Sequence, residues 1–336
     1  MTSSARRIAA QLGVFVTIAL VSLAILDPYY LNVAILALLT TMLCVSWNLT
    51  GGFGGMFSFA HTLFIAFGAI LPVVLADRLD LPTSLGLFLA LIGSTLGAIA
   101  VVLMMHYFQL GVLQFALATI ALAEMVLVLV LGTPDLGGAS GLSVISTLHI
   151  GPLEIAEPER FFLLSLGLVT LFIGLSAWFM NSRFGYYLVA ARDNSPAALA
   201  VGVPVLAAQS RSIVLSSWMT CVSGFVYVQY SGFVDPYRVA SPLFLVEVVL
   251  FATLGGLGTL WGPVLGACIF VPLTEILRGE FGGDVPGLSR LLVGSLIVLV
   301  VLGFPKGLVG IGPEVWGRVR RRMSRVESQR GLVGDE

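Results

Sequence analysis

Charge is what this 336-residue sequence has least of: 10% of its residues are Asp, Glu, Lys or Arg, and Lys306 is its sole lysine. Soluble domains carry about a quarter of their residues as charges, so that class is excluded. The 17 Lys plus Arg are too few and too scattered for a nucleic-acid-binding face. Cysteine is scarce as well. Cys44, Cys221 and Cys268 lie inside apolar stretches without CxxC spacing, which suggests neither a disulfide framework nor a zinc site and leaves them as small packing residues. His106 and His149 sit beside loops and complete no metal constellation. The sequence contains no G-x-x-x-x-G-K-[ST], because Lys306 follows Phe304-Pro305, so it has no phosphate-binding P-loop. What it does have is apolar surface: 58% of its residues are hydrophobic and its mean hydropathy is +1.02. Continuous apolar runs of about 20 residues are what a bilayer requires of a spanning helix, whereas barrel strands alternate over about ten. The expectation is an all-α polytopic membrane protein.

Apolar windows of spanning length fall at 11–26, 31–50, 56–76, 84–105, 112–132, 161–180, 209–230 and 289–304. The first follows Arg6 and Arg7 but reaches Ile25 without an A-x-A cleavage site, so it reads as a helix rather than a signal peptide. A longer stretch, 243–278, is interrupted by Gly255, Gly256, Gly258 and Gly262 and reads as two spans or two half-spans. That gives about eight to ten helices. Positive-inside bias puts Arg6, Arg7, Arg183, Arg192 and the tail arginines Arg318, Arg320, Arg321, Arg322 and Arg325 in the cytoplasm. Outside lie Asp27, the Asp77/Arg78/Asp80 turn, the loop 133–160 with Glu154, Glu157 and Glu159, and the loop carrying Asp235 and Arg238. Both termini are then cytoplasmic, with one transmembrane domain over 1–317 and a basic cytoplasmic tail over 318–336.

Two glycine-rich breaks stand in corresponding positions of the two halves: Gly51-Gly52-Phe53-Gly54-Gly55 and Gly255-Gly256-Leu257-Gly258. Paired breaks of this kind point to a transporter's pathway, since unwound backbone in a membrane lines a cavity or is buried in protein. Close helix packing on glycine is the other reading. Segment 181–208 is too polar to span and too rich in Ala and Leu for a floppy loop. It reads as helix, break, helix, with Asp193, Asn194 or Ser195 capping a second short helix that tolerates Pro196 in its first turn and ends at Gly202. Such a helix suits docking by another protein, and a solvated connector would also fit.

Five stretches together resemble the LivM-type permeases of branched-chain amino acid ABC transporters. Ala191-Arg192-Asp193-Asn194 with Ala197-Ala198 and Gly202 is similar to that family's cytoplasmic-loop pattern. Asn48-Leu49-Thr50-Gly51-Gly52 through Ser58-Phe59-Ala60-His61 resembles its N-L-x-x-G-x-x-G-x-x-S-x-G-H run, and Phe115-Ala116-Leu117-Ala118-Thr119 with Glu124 its F-A-x-x-T-L-A-x-x-E. Leu254 to Ala267 is close to its glycine-rich signature, and Phe304-Pro305-Lys306-Gly307-Leu308 with Gly310 ends the last helix as the family does. The likeness runs in family order from about residue 40 to 312. It departs at Phe59, where the family usually has a small residue, and at Gly137-Gly138-Ala139-Ser140-Gly141-Leu142, which has a small, uncharged centre. Both departures bear on the substrate more than on the class.

The resemblance implies a non-catalytic membrane subunit of an ATP-driven importer in a bacterial inner membrane. It implies a second permease, a paralogue in this family's usual arrangement, two ATP-binding cassette subunits holding ATP and Mg, and an extracytoplasmic substrate-binding protein. Nothing is expected to bind this chain as a cofactor. The implied cargo is leucine, isoleucine, valine or a similar small polar solute such as urea or a short amide. ATPase coupling would fall to Arg183, Arg192, Asp193, Asn194, Ala197, Ala198 and Gly202. The pathway would be formed by Gly51, Gly52, Gly54, Ser58, His61, Gln114, Thr119, Glu124, Gly255, Gly256, Gly258 and Gly262. Glu124, mid-run and ionisable, is expected to face the bundle interior or a watery cavity, either binding solute or bonding to glycine-broken backbone. Glu247 and Glu275 lie nearer helix ends, and Trp47, Trp218 and Trp261 fit interfacial anchoring, packing or pathway lining. An ion-coupled secondary transporter using Glu124 is the alternative; it would need no ATPase-docking helix. A membrane-embedded enzyme is disfavoured because no nucleophile and base converge.

Overall fold

The computed structural model describes residues 2–144, 148–150, 153–155, 157–281, 291, 294–295 and 307–309. Apart from those last positions, the expected span 289–304, the Phe304–Gly310 motif and the tail 318–336 lie outside the described residues. Long runs of Leu, Ala, Ile and Val form helices because a helix satisfies its own backbone polar groups, as a bilayer demands. The chain runs α1 (Thr2–Ile25), α2 (Pro28–Asn48), α3 (His61–Leu79), α4 (Thr83–Tyr107) and α5 (Val112–Gly132). A loop with two short 3-10 turns and strands β1 (Leu142–Ser143), β2 (Leu148–Ile150) and β3 (Leu153–Ile155) follows. Then come α6 (Pro158–Met180), α7 (Arg183–Ala200), α8 (Val205–Ser231), β4 (Phe233–Val234), α9 (Pro236–Val239), α10 (Pro242–Gly256) and α11 (Gly262–Phe281). β2 and β3 form an antiparallel hairpin, and β1 pairs with β4 through Leu142 and Val234. The β1–β4 pair thus ties the long loop to the end of α8.

Among the described residues, seven helices are long and apolar enough to cross a membrane: α2 extended to Phe53, α3, α4, α5, α6, α8 and α11 up to Glu280. The protein is an all-α, multi-pass membrane protein. The apolar part of α1, Ile8–Leu23, and α10 are shorter. The stretch 243–278 is therefore one short and one full helix. At ~1.5 Å per residue the 15-residue α10 covers about 22 Å, less than a hydrocarbon core of about 30 Å.

The core sits on α2, α3 and α8, while α4 and α5 leave large apolar side chains such as Phe88, Leu96, Leu113 and Leu117 outward. α3 and α8 approach backbone to backbone: a Cβ on Gly68 would strike the Cys221 carbonyl, and one on Gly224 would lie 2.6 Å from the Ile65 carbonyl oxygen. Small residues are the device by which membrane helices pack without a hydrophobic driving force between them. The cysteines are packing residues here: Cys44 is buried, with its thiol donating to the Val248 carbonyl at 3.3 Å, and Cys268 lies 3.8 Å from Thr41 Oγ1.

Successive helices alternate in direction, which sorts the connections to two ends. One end holds the start of α1, the chain between α2 and α3, α7, and the turn between α10 and α11. The other holds the 80–82 turn, the long loop and 232–241; an Arg78–Asp135 ion pair of 3.3 Å joins two of these.

Candidate functional site

The first glycine break does not unwind α2 at once. Leu49–Phe53 continues it as a π-helical turn, and irregular chain follows from 54 to 60, so the expected window 56–76 becomes a helix only from His61. A π-turn shifts the backbone bond ladder and leaves carbonyls to other donors. α8 supplies those donors. Ser216 Oγ donates to the Ser46 carbonyl at 2.6 Å, Ser212 Oγ to the Leu49 carbonyl at 3.3 Å, and Thr220 Oγ1 to Ser46 Oγ at 3.0 Å. Residues 212, 216 and 220 recur every four positions and so share a helix face. His61, fully buried, closes the group, with Nε2 at 2.7 Å from Ser216 Oγ and 3.2 Å from Thr50 Oγ1. Since Ser216 and Thr50 give their own protons to the Ser46 and Trp47 carbonyls, the network assigns the donated proton to His61 Nε2. Trp47 is buried rather than interfacial and donates from Nε1 to the Ser58 carbonyl at 2.9 Å.

The second break meets the first. Asn48, at the last position of α2, accepts the Gly258 N–H on Oδ1 at 3.0 Å and donates from Nδ2 to the Thr259 carbonyl at 2.9 Å. One buried amide therefore holds both edges of the turn between α10 and α11. A Cβ on Gly52 would lie 2.6 Å from the Gly258 nitrogen, so the two turns touch backbone to backbone. Thr259 Oγ1 donates to the Gly256 carbonyl at 2.8 Å and accepts from the Gly262 N–H at 2.9 Å, which closes the turn upon itself. Gly255 and Gly262 face one another across it, and Gly51 packs under the Trp47 ring. Of the pathway residues named from sequence, Gly51, Gly52, Gly54, Ser58, His61, Gly255, Gly256, Gly258 and Gly262 all lie around this junction, where their backbone is packed against protein.

α7 lies on the same end. Its backbone leaves helical geometry at Asn194 (φ −157°, ψ 94°), so it is two helices in succession. Ser182 caps the first through the Gly185 N–H, and Asn194 Oδ1 accepts the Ala197 N–H at 3.0 Å to cap the second. Gly202, at φ +81°, follows the second as a C-terminal glycine does. Arg211 of α8 lays its guanidinium over Phe184 at 3.6 Å, which fixes the first half to the bundle. Arg183, Arg192, Asp193, Asn194, Ala197 and Gly202 are exposed, and Ala198 is buried against Ala191 and Val205. Arg192 reaches back to the breaks, its Nη1 donating to the Gly52 carbonyl at 3.4 Å.

α5 contributes Thr119, which accepts the Phe59 N–H on Oγ1 at 3.0 Å and so pins the irregular 54–60 chain. Gln114 stays at the exposed start of α5, accepting the Gly111 N–H at 2.6 Å. Glu124 is exposed on the outward face of α5. The expected interior position is corrected here: five residues beyond buried Thr119, Glu124 is rotated about 140° from it at ~100° per residue. Trp218 and Trp261 take polar partners near the surface, Thr95 Oγ1 at 2.6 Å and Gln11 Oε1 at 2.9 Å. Among the described residues no group of three or more His, Cys, Asp or Glu is placed to hold a metal.

Asn48, Arg211 and the Ser212/Ser216/Thr220 face were absent from the coupling and pathway residues expected from sequence. The four-residue spacing of hydroxyls on α8 was the available signal; for Asn48 it was only its place in a motif.

Comparison with curated proteins and with solved structures finds no match. Residues 29–301, most of the chain, match the family described as the permease component of branched-chain amino acid transport systems. That range contains the π-turn, both glycine breaks, α7 and the hydroxyl face of α8, and the chain belongs to that permease family.

Proposed function

We propose that this chain is the LivM-type permease subunit of an ATP-driven importer for branched-chain amino acids or similar small solutes, and that α7, within a coupling segment over 181–208, docks a separate cytoplasmic ATPase. The observation that carries this is the second half of α7. It is capped on its own, stands outside the spans, and leaves Leu199 59% and Val201 80% exposed beside Ala197. Apolar side chains on a short rigid helix suit a protein groove. Charge supports the orientation. The end with α7 carries Arg6, Arg7, Arg183, Arg192 and Arg211 against Asp193, whereas at the other Arg78, Arg160, Arg238 and Arg278 are outnumbered by Asp27, Asp77, Asp80, Asp135, Glu154, Glu157, Glu159 and Asp235. The α7 end is then cytoplasmic with the N-terminus, and the 133–160 loop faces the binding protein on the outer side of the inner membrane. The 1–317 region is one permease domain and 318–336 a basic tail.

An ionisable group costs ~2.5–3.5 kcal/mol mid-span on insertion scales, so the outward face of α5 with Glu124 is assigned to the second permease and the pathway between the two subunits. Glu124 lies on the outside of the chain, so an ion-coupled carrier of one subunit that relies on Glu124 has no interior site there. ATP and Mg belong to two partner ATPases, and the second permease is a paralogue or a second copy.

The test is capture. The tagged chain, expressed with its neighbouring genes and purified in mild detergent, should bring down ATP-binding subunits, and Ala197→Glu should cut that recovery at least tenfold while the permease still accumulates in the membrane. Equal recovery with Ala197→Glu would remove α7 as the dock.

A further inference from the structure

We infer that Arg192 is the positioning residue that joins α7 to both glycine turns, so that displacement of α7 is delivered directly to the backbone of the two breaks. The inference rests on α7 being the docking segment, and it assigns Arg192 to the inner side of that device rather than to the ATPase surface.

The guanidinium is held at one edge. Asp193 Oδ1 accepts from Nε at 3.1 Å and from Nη2 at 3.0 Å. The remaining nitrogen, Nη1, is thereby aimed at the junction, where it donates to the Gly52 carbonyl at 3.4 Å. It also lies 3.3 Å from where a Cβ on Gly258 would stand, and the Gly52 oxygen lies 3.2 Å from the same point. The head of Arg192 therefore sits where the two turns meet. Its stem crosses the first turn, with Cγ 2.5 Å from where a Cβ on Gly55 would be. Gly55 has φ +66° and Gly258 φ +68°, conformations that L side chains rarely adopt.

The consequence is mechanical. Neither turn offers side chains at these points, so a lever must act on backbone, and a long side chain with a planar, multi-donor head is suited to that. Asn48 fastens the second turn to α2, so a pull on the Gly52 carbonyl is shared by both breaks. The backbone break at Asn194 comes two residues after Arg192. The half that would meet a docked partner is thus joined to Arg192 through only two residues.

Two readouts test this, on Arg192→Ala, Arg192→Lys, Gly55→Ala and the Arg192→Ala/Gly55→Ala double variant. The first is the melting temperature of the purified permease, which needs no ATPase. Gly55→Ala should lower Tm by several degrees in the native background and by measurably less beside Arg192→Ala, because the clash with the stem is gone while the strain of a left-handed alanine remains; contacting residues are non-additive in this way. Additive shifts would overturn the link.

The second readout is ATP hydrolysis by the assembled complex, with and without leucine-loaded binding protein. Arg192→Ala should still capture ATP-binding subunits but lose the stimulated-to-basal ratio about tenfold, and Arg192→Lys should recover part of it. Loss of capture equal to that of Ala197→Glu would make Arg192 a docking contact, and an unchanged ratio would make the grip idle; either result overturns the inference. If the native chain captures no ATPase at all, the docking reading fails, and the Tm cycle still decides the grip.

Discussion

At the residue scale, two polar groups have consequences out of proportion to their number. Asn48 is buried and spends both amide atoms on a turn 210 residues away in sequence. Replacing it with Ala leaves the Gly258 N–H and the Thr259 carbonyl short of a partner, which costs about 1–3 kcal/mol. Asn48→Ala should therefore lower the melting temperature and expose the 257–261 turn to proteolysis, whereas an unchanged Tm would mean water replaces the amide without loss. Glu124 makes a different kind of demand. It is exposed on the chain but mid-span in sequence, and the proposed reading completes its surroundings with the second permease. Glu124→Gln should lower transport several-fold while membrane insertion stays intact; full activity in that variant would remove Glu124 from the pathway. The sequence made Glu124 conspicuous because carboxylates are rare in apolar runs, but which way it faced depended on how α5 packs. Asn48 stood in plain view within a motif, and nothing local announced its partner.

At the scale of elements, the spans were legible because apolar length is a local property: 112–132 is α5, and 84–105, 161–180 and 209–230 each gained only a few residues at the ends. The break in α7 was legible too, since Asp193-Asn194-Ser195-Pro196 combines a cap with a residue that suits a first turn. The π-turn was not. Whether a glycine-rich stretch unwinds or adds one residue to a turn depends on donors from elsewhere in the fold, here Ser212 on the Leu49 carbonyl and Ser216 on the Ser46 carbonyl just before the turn. The approach of α3 to α8 depends on Gly68 and Gly224, whose role appears only when the two helices are side by side. Gly224→Leu should force them apart and reduce the yield of folded permease in the membrane, since overpacking costs about 1–3 kcal/mol even for small additions. Wild-type yield and Tm would show that the helices separate freely.

At the scale of the whole molecule, the chain places its irregular features at opposite ends of a helical bundle. One end has a π-turn, a glycine turn and a kinked helix in mutual contact; the other has the long loop with its small strand pairs. The family match covers nearly all of this, yet the energy source and the partners belong to the proposed reading of α7. Cysteines introduced at Leu199 and Asp135 should react with a membrane-impermeant thiol reagent from opposite sides of sealed vesicles; reaction of both from one side would contradict the two-ended arrangement. The most direct measurement is uptake of radiolabelled leucine into proteoliposomes holding this chain with its copurified subunits and binding protein. Uptake that requires ATP on the α7 side and disappears with Ala197→Glu is the predicted result. Uptake driven by an ion gradient, with this chain as the only protein present, would contradict it.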